Sequence, residues 1–170
     1  MDLIFGNLFS LLATGSDVFG SSRKTTKGFL LWQSLGQLFY GLSAIALKGY
    51  SAAIQNAVCI IRNLAAVRQI SSKVLEWILV VAAVVLGLVF NNLGFIGFLP
   101  VIANLEYSLA VFRFQDNELW LKSAFLFNVL LYTVFNGAIR NYAGMIADIV
   151  LFIVTLVFLI KNLRNKKTEE

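Results

Sequence analysis

The stretch Ile-Leu-Val-Val-Ala-Ala-Val-Val-Leu-Gly-Leu-Val-Phe, residues 78–90, decides the fold, because it contains no polar side chain. A bilayer span requires roughly 20 mostly apolar residues, and with its flanks this stretch predicts a span over residues 75–91. Working outward from it, the same criterion predicts six more spans. They lie at residues 3–19, 28–47, 50–67, 93–112, 120–138 and 142–160.

The composition places the chain in the membrane class. Hydrophobic residues make up 59% of the 170 residues, charged residues only 14%, and the mean hydropathy is +0.80. A soluble domain is about a quarter charged, and a chain this apolar would expose large sticky patches in water. The sequence therefore predicts an all-α membrane protein with seven transmembrane helices, without a separate soluble domain.

The distribution of cations predicts the orientation of the spans. Twelve of the fourteen Lys and Arg residues fall on one face of the membrane in this arrangement of spans, and only Lys48 and Arg140 fall on the other. These two are expected to be outer-leaflet anchors or guards of an outward-facing entrance. Cytoplasmic loops carry the excess of cations, so the N-terminus is expected outside and the C-terminus in the cytoplasm. Nucleic acid is not an expected partner, because the cations occur in short clusters between apolar runs. The twelve are Arg23, Lys24, Lys27, Arg62, Arg68, Lys73, Arg113, Lys122, Lys161, Arg164, Lys166 and Lys167.

Several function classes have no support in the sequence. Cys59 is the one cysteine and histidine is absent, which disfavours disulfides, thiolate metal clusters, common zinc sites and histidine proton relays. No nucleophile lies beside a base, and no glycine-rich phosphate loop is found. We therefore expect no enzyme activity, no cofactor and no metal.

An internal repeat emerges when the chain is compared with itself at a shift of 92 residues. Tyr40 then meets Tyr132, Tyr50 meets Tyr142 and Lys48 meets Arg140. We therefore predict two three-helix units, residues 1–70 and 93–170, joined by a linker transmembrane helix at 71–92; the second unit ends in a basic cytoplasmic tail. Because the linker returns the chain to its starting side, the two triple-helix bundles are expected to be parallel repeats, as in many transporters. A stable bundle without transport is the alternative.

Three short segments carry a resemblance to known families. Leu99-Pro100-Val101-Ile102 opens the fifth span, Ala110-Val111-Phe112-Arg113 closes it, and Ser51-Ala52-Ala53-Ile54-Gln55 precedes Asn56. In these segments the chain resembles the YgjV family of bacterial inner-membrane proteins. Its three-one-three layout resembles the SWEET sugar facilitators, which have the MtN3/PQ-loop type of fold. The resemblance implies the fold and a bacterial inner-membrane location. The first span departs from the SWEET pattern, because it contains no proline.

Paired polar residues on the third helix of each unit are the main candidates for a site. The shift pairs Asn56 with Asp148 and Asn63 with Thr155, and the two positions in each unit share one helix face. In the SWEETs a symmetric pair of Asn on the third helices binds substrate, and the resemblance implies this role for Asn56 and Asp148. The alternative is a polar clamp between helices, worth about 0.6 kcal/mol per bond.

Further candidates form equivalent polar stripes on the second helix of each unit. The first stripe is Gln33, Gln37 and Tyr40, and the second is Asn128, Tyr132 and Asn136. Asn104 on the fifth span is expected to line a cavity. Pro100 removes one helical hydrogen bond, so it is either a hinge for alternating access or a proline in the first turns of a helix. The predicted substrate-binding residues are Gln37, Tyr40, Asn56, Asn63, Asn104, Asn128, Tyr132 and Asp148.

These patterns favour a transporter or facilitator of a small polar metabolite, such as a sugar, nucleoside or vitamin, that works by alternating access between two repeats. The alternative is a non-transporting membrane receptor or scaffold of the same fold. The expected partners are the lipid bilayer and a small-molecule substrate, with a homo-oligomer left open. The expected location is the bacterial inner membrane.

Overall fold

A computed structural model describes residues 1–21, 23, 25–70, 72–114 and 118–169, and over these ranges it contains seven α-helices and no strand. The all-α, seven-helix fold predicted from the apolar runs is confirmed. Lys24, the linker boundary at Ser71 and the last residue Glu170 lie outside the described residues. The helices are α1 (Asp2–Ser21), α2 (Thr26–Ala46), α3 (Tyr50–Val67), α4 (Lys73–Val89), α5 (Phe95–Phe114), α6 (Glu118–Ala138) and α7 (Tyr142–Glu169).

The helix ends lie within two residues of the predicted span ends, except at the C-terminus of α7. This helix continues to Glu169, beyond the predicted end at residue 160. Lys and Arg are good helix formers, and cations near a helix C-terminus complement its dipole, so the basic tail extends the helix. With 28 residues, α7 is about 42 Å long, which exceeds a hydrocarbon core of about 30 Å.

Two equivalent turns join the second and third helices of the two units. After α2 and after α6, the chain closes in a Schellman motif, in which N–H groups beyond the helix bond back to carbonyls inside it. The N–H of Gly49 donates to a carbonyl five residues earlier at 2.7 Å, and that of Asn141 does the same at 2.8 Å. Lys48 and Arg140 precede them in the left-handed region, with φ of 60° and 59°. The matched cation therefore occupies the same backbone position in both units.

The described helices pack as a ring of six with one helix outside it. Within the first unit α1 packs on α2 and α2 on α3, and within the second α5 packs on α6 and α6 on α7. The units meet where α3 contacts α5 and where α1 contacts α7, while α4 packs outside against α3 and α5. Exchanging the first three helices with the last three maps the six helix pairs of the ring onto themselves, whereas the contacts of α4 have no such counterpart. The pattern supports the internal repeat, which stays a prediction.

The interior of this ring is as polar as it is apolar. Among the described residues, thirteen polar side chains are buried, beside twelve hydrophobic ones and Pro100. Large apolar side chains face outward instead, and Phe95, Ile4 and Val89 are 80%, 72% and 71% exposed. Soluble proteins bury such residues. An apolar exterior around paired polar groups suits a protein surrounded by hydrocarbon.

Within the part of the chain that the structure describes, two helical segments qualify as membrane spans by length and apolar composition alone. They are Asp2–Gly20 in α1 and Tyr142–Lys161 in α7, and Phe95–Ala110 is a shorter apolar helix. Seven spans and the orientation of the termini stay predictions.

Candidate functional site

Asp148 takes part in a chain of hydrogen bonds that ties α6 to α7. Asn136 Nδ2 donates to Asp148 Oδ2 at 2.7 Å, and Asn141 Nδ2 donates to Asn136 Oδ1 at 2.9 Å. The N–H of Gly144 completes the chain by donating to Asn141 Oδ1 at 3.1 Å. A Cβ at Gly144 would lie 2.5 Å from Asn141 Nδ2. The small residue thus allows close packing of polar groups and does not leave an empty space.

Asn104 belongs to a second network, at the junction of α3, α4 and α5. Its Nδ2 donates to Gln55 Oε1 at 2.6 Å, while Gln55 Nε2 donates to the Ala83 carbonyl of α4 at 2.8 Å. Gln55 is fully buried, and Gly87 makes room for it, because a Cβ there would overlap Gln55 Nε2. No sequence pattern indicates this role of Gln55, because its partners depend on the order of the helices in the ring.

Two more predicted site residues also connect neighbouring helices. Asn63 Nδ2 on α3 donates to Gln33 Oε1 on α2 at 3.1 Å, and Asn128 Nδ2 on α6 donates to the Ala103 carbonyl of α5 at 2.8 Å. For Asn63, Asn104 and Asn128 the geometry therefore favours polar clamps between helices over substrate contacts.

The boundaries between the two units are held by asparagines that the sequence did not single out. Asn7 on α1 donates from Nδ2 to the Arg140 carbonyl at 3.1 Å and accepts at Oδ1 from the Ala143 N–H at 2.9 Å. On the opposite boundary, Asn92 donates to the Lys48 carbonyl at 2.8 Å. Asn7 thus holds the α6–α7 turn of the second unit, and Asn92, the last residue of the predicted linker, holds the α2–α3 turn of the first.

Four predicted residues lie in one layer of the ring. Asn56 and Asp148 each lie six residues beyond the start of α3 or α7, and Tyr40 and Tyr132 each lie six residues before the end of α2 or α6. All four are therefore about 9 Å along the helix from the same end of the ring. We call these four residues the central layer.

Three of the four residues of the central layer are close enough to interact electrostatically. Tyr40 lies within coulombic range of Asp148 and of Asp17, and Tyr132 lies within coulombic range of Asp148. The two equivalent tyrosines, one from each unit, therefore both lie near the Asp148 carboxylate. Asn56 is only 7% exposed, and in the described part of the chain its side-chain amide has no hydrogen-bond partner.

Phe135 closes the ring on the side of the central layer nearer to the α2–α3 turn. It is 1% exposed, and it packs with Ala44 and Ala52 of the first unit. A Cβ at Gly49 would lie 2.9 Å from Phe135 Cζ, so the aromatic ring rests directly on the turn of the other unit. Tyr132 meets Phe135 edge-on with 6.5 Å between ring centroids. The repeat gave no signal for this residue, because the shift pairs it with Ser43.

The remaining predicted residues take simpler positions. Gln37 is half-buried one turn from Tyr40. Pro100 is fully buried at the sixth position of α5, and the helix continues through it. A cavity of about 30 Å³, the size of one water molecule, is lined by Arg62 and Glu76 together with Asn104. Its lining does not include the central layer.

Comparison with known proteins identifies one family. Residues 4–166 match the family model Imp-YgjV, described as a bacterial inner membrane protein. No curated protein and no solved structure matches the chain. This match confirms, at the level of the family, the expected inner-membrane location and the resemblance to the YgjV family.

Proposed function

The chain belongs to the Imp-YgjV family of bacterial inner membrane proteins, and on that premise we propose that it is a transporter of a small polar metabolite. It has no enzymatic step, and it works by alternating access between two parallel repeats in a SWEET-like layout. The observation that carries the proposal is the central layer, in which Tyr40, Asn56, Tyr132 and Asp148 come from both units and lie at one level of a ring whose exterior is apolar.

The chemistry of the central layer suits a ligand rich in hydroxyl groups. Asp148 Oδ2 accepts from Asn136, and the carboxylate keeps further lone pairs for hydroxyl donors. The Asn56 amide offers two donors and one acceptor oxygen. Binding pockets commonly combine apolar and aromatic walls with a few such polar groups. A sugar, a nucleoside or a vitamin of similar polarity fits this combination.

Alternating access requires the two units to move at their shared boundaries. Phe135 closes one end of the ring against Gly49, so opening that end requires the α6 side to separate from the α2–α3 turn. Pro100 lies in α5, which forms one of the two boundaries between the units. In our proposal Pro100 is the hinge of this motion, because its missing N–H weakens the helix locally.

The proposal is tested by counterflow in proteoliposomes across a panel of radiolabelled sugars, nucleosides and vitamins. We expect exchange of at least one compound by the wild type and a loss in Asn56→Ala and Asp148→Asn. A hydrogen bond to a charged group is worth about 1.5–3 kcal/mol, so the apparent affinity of Asp148→Asn should fall by at least about tenfold.

Gly15→Ala is the matched control, because a Cβ at Gly15 meets nothing within 4 Å. It should exchange substrate like the wild type. Equal exchange by Asp148→Asn and the wild type would refute the site, and absence of exchange for every compound would refute transport.

A receptor or scaffold is the second candidate, and the polar clamps favour it. Asn63, Asn104 and Asn128 all join neighbouring helices, which would also stabilise a ring that never opens. A ligand that raises the thermal stability of the protein without any counterflow would select this candidate.

A further inference from the structure

A ladder of polar contacts runs down the seam between α1 and α2. Ser10 Oγ and Ser43 Oγ are 2.9 Å apart and fully buried. One turn further along α1, Thr14 Oγ1 lies 3.2 Å from the Tyr40 hydroxyl. Because the Thr14 hydroxyl donates to the Ser10 carbonyl at 2.9 Å, the Tyr40 O–H is the donor to Thr14. We call this set of contacts the α1–α2 ladder.

Asp17 lies one turn beyond Thr14 on the same helix, and one of its two carboxylate oxygens is unsatisfied. Its Oδ1 is buried and has no hydrogen-bond partner. The carboxylate rests on Gly36 of α2, where a Cβ would lie 2.5 Å from Oδ1 and 3.2 Å from Cγ. A buried carboxylate without a partner is costly inside a membrane protein, and such residues commonly mark ion or proton pathways.

The α1–α2 ladder connects Asp17 to the central layer. Tyr40 lies within coulombic range of Asp17 on one side and of Asp148 on the other. Asp17 is fifteen residues into α1, about 22 Å along the helix, whereas Asp148 is about 9 Å along α7. The two carboxylates therefore lie at different depths of the same ring, and Tyr40, level with Asp148, interacts electrostatically with both.

The groups that face Asp17 leave it without a compensating charge. α1 packs against α2 and α7; the titratable group facing Asp17 from α2 is Tyr40, and Asp148 of α7 lies beyond Tyr40. Among the described residues no Lys or Arg forms an ion pair with Asp17. A proton is the simplest partner that such a carboxylate can take.

We propose that Asp17 is a proton-binding site that couples transport to proton movement and communicates with the central layer through Thr14 and Tyr40. The Asp17 carboxylate gains a proton from water that reaches it from one face and forms an O–H bond. When that bond breaks, the proton is returned to water on the other face and the carboxylate is restored, with no other covalent change. This inference rests on the proposed function.

Proton binding by Asp17 can be measured without a substrate, by infrared difference spectra of the protein in lipid between high and low pH. We expect a carboxylic acid C=O band that appears as the pH falls, shifts in D2O and is missing in Asp17→Asn. Gly36→Ala keeps the carboxylate but pushes it aside, so it should shift this band, and Gly15→Ala should not. Identical spectra for Asp17→Asn and the wild type would overturn the proposal.

Coupling is measured with whichever compound shows counterflow, by imposing a pH gradient across the proteoliposome membrane. We expect the gradient to drive accumulation in the wild type, and Asp17→Asn to keep counterflow while losing accumulation. Wild-type counterflow that ignores the gradient would refute coupling and leave the proposed function intact. If no compound shows counterflow, the proposed function fails, and the infrared band alone decides whether Asp17 binds a proton.

Discussion

Lys48 and Arg140 hold a backbone conformation that few side chains adopt. Their φ values of 60° and 59° place them in the left-handed region, which costs a non-glycine residue roughly 1–2 kcal/mol. The sequence alone suggested two roles for these matched cations, as outer-leaflet anchors or as guards of an entrance. The structure adds a backbone reason for the match, since both residues end the second helix of a unit in a Schellman motif.

This strain predicts opposite effects for two substitutions at the same position. Lys48→Gly removes the steric penalty and should stabilise the protein by about 1 kcal/mol, whereas the β-branched Lys48→Val should destabilise it by a similar amount. Thermal unfolding in detergent measures both. Arg140→Gly and Arg140→Val should repeat the pattern, and a stability order of Val above Gly at either position would contradict the assignment.

The helices were largely predictable from the sequence, and the clamps were not. Apolar runs of span length set the helix ends, because the bilayer and the polar turns between spans both leave a clear pattern. Whether Asn104 met a substrate or a neighbouring helix depended on which helix stood beside it. The order of the helices around the ring does not follow from the sequence pattern. The repeat therefore identified equivalent residues such as Tyr40 and Tyr132, but not the contacts of Gln55 or Phe135.

Gln55 and Asn104, at the junction of α3, α4 and α5, are expected to be energetically coupled. Removing the amide in Gln55→Leu leaves Asn104 Nδ2 without its acceptor at a buried site, which costs about 1–3 kcal/mol. A double-mutant cycle with Asn104→Leu should give a coupling energy of about 0.6 kcal/mol and up to about 1.7 kcal/mol. Denaturant unfolding in mixed micelles measures the four free energies.

Gln37→Leu is the matched control for this cycle. Gln37 is half-buried on the neighbouring helix, and within the described residues it has no hydrogen-bond partner, so its replacement should leave the stability nearly unchanged. Additive effects of the Gln55 and Asn104 substitutions would show that the hydrogen bond between them contributes nothing to the packing of α3 against α5.

The whole molecule combines a symmetric frame with an asymmetric interior. Asn7 and Asn92 grip equivalent turns at the two boundaries, and the tyrosines of the central layer are equivalent too. Phe135 and Asp148 have no like residue at the matched positions, Ser43 and Asn56. In the proposed transporter, parallel repeats would let the two units rock against each other, and the unequal interior would hold a ligand in one orientation.

Alternating access is the central claim, and cysteine labelling at the central layer tests it most directly. In a Cys59→Ala background, Asn56→Cys is exposed to a membrane-impermeant thiol reagent in right-side-out and in inverted vesicles. Lys48→Cys and Arg23→Cys, both at exposed positions, serve as markers for the outer and cytoplasmic faces. We predict labelling of position 56 from both faces and of each marker from one face only. Labelling of position 56 from a single face, or from neither, would contradict a ring that opens alternately to the two sides.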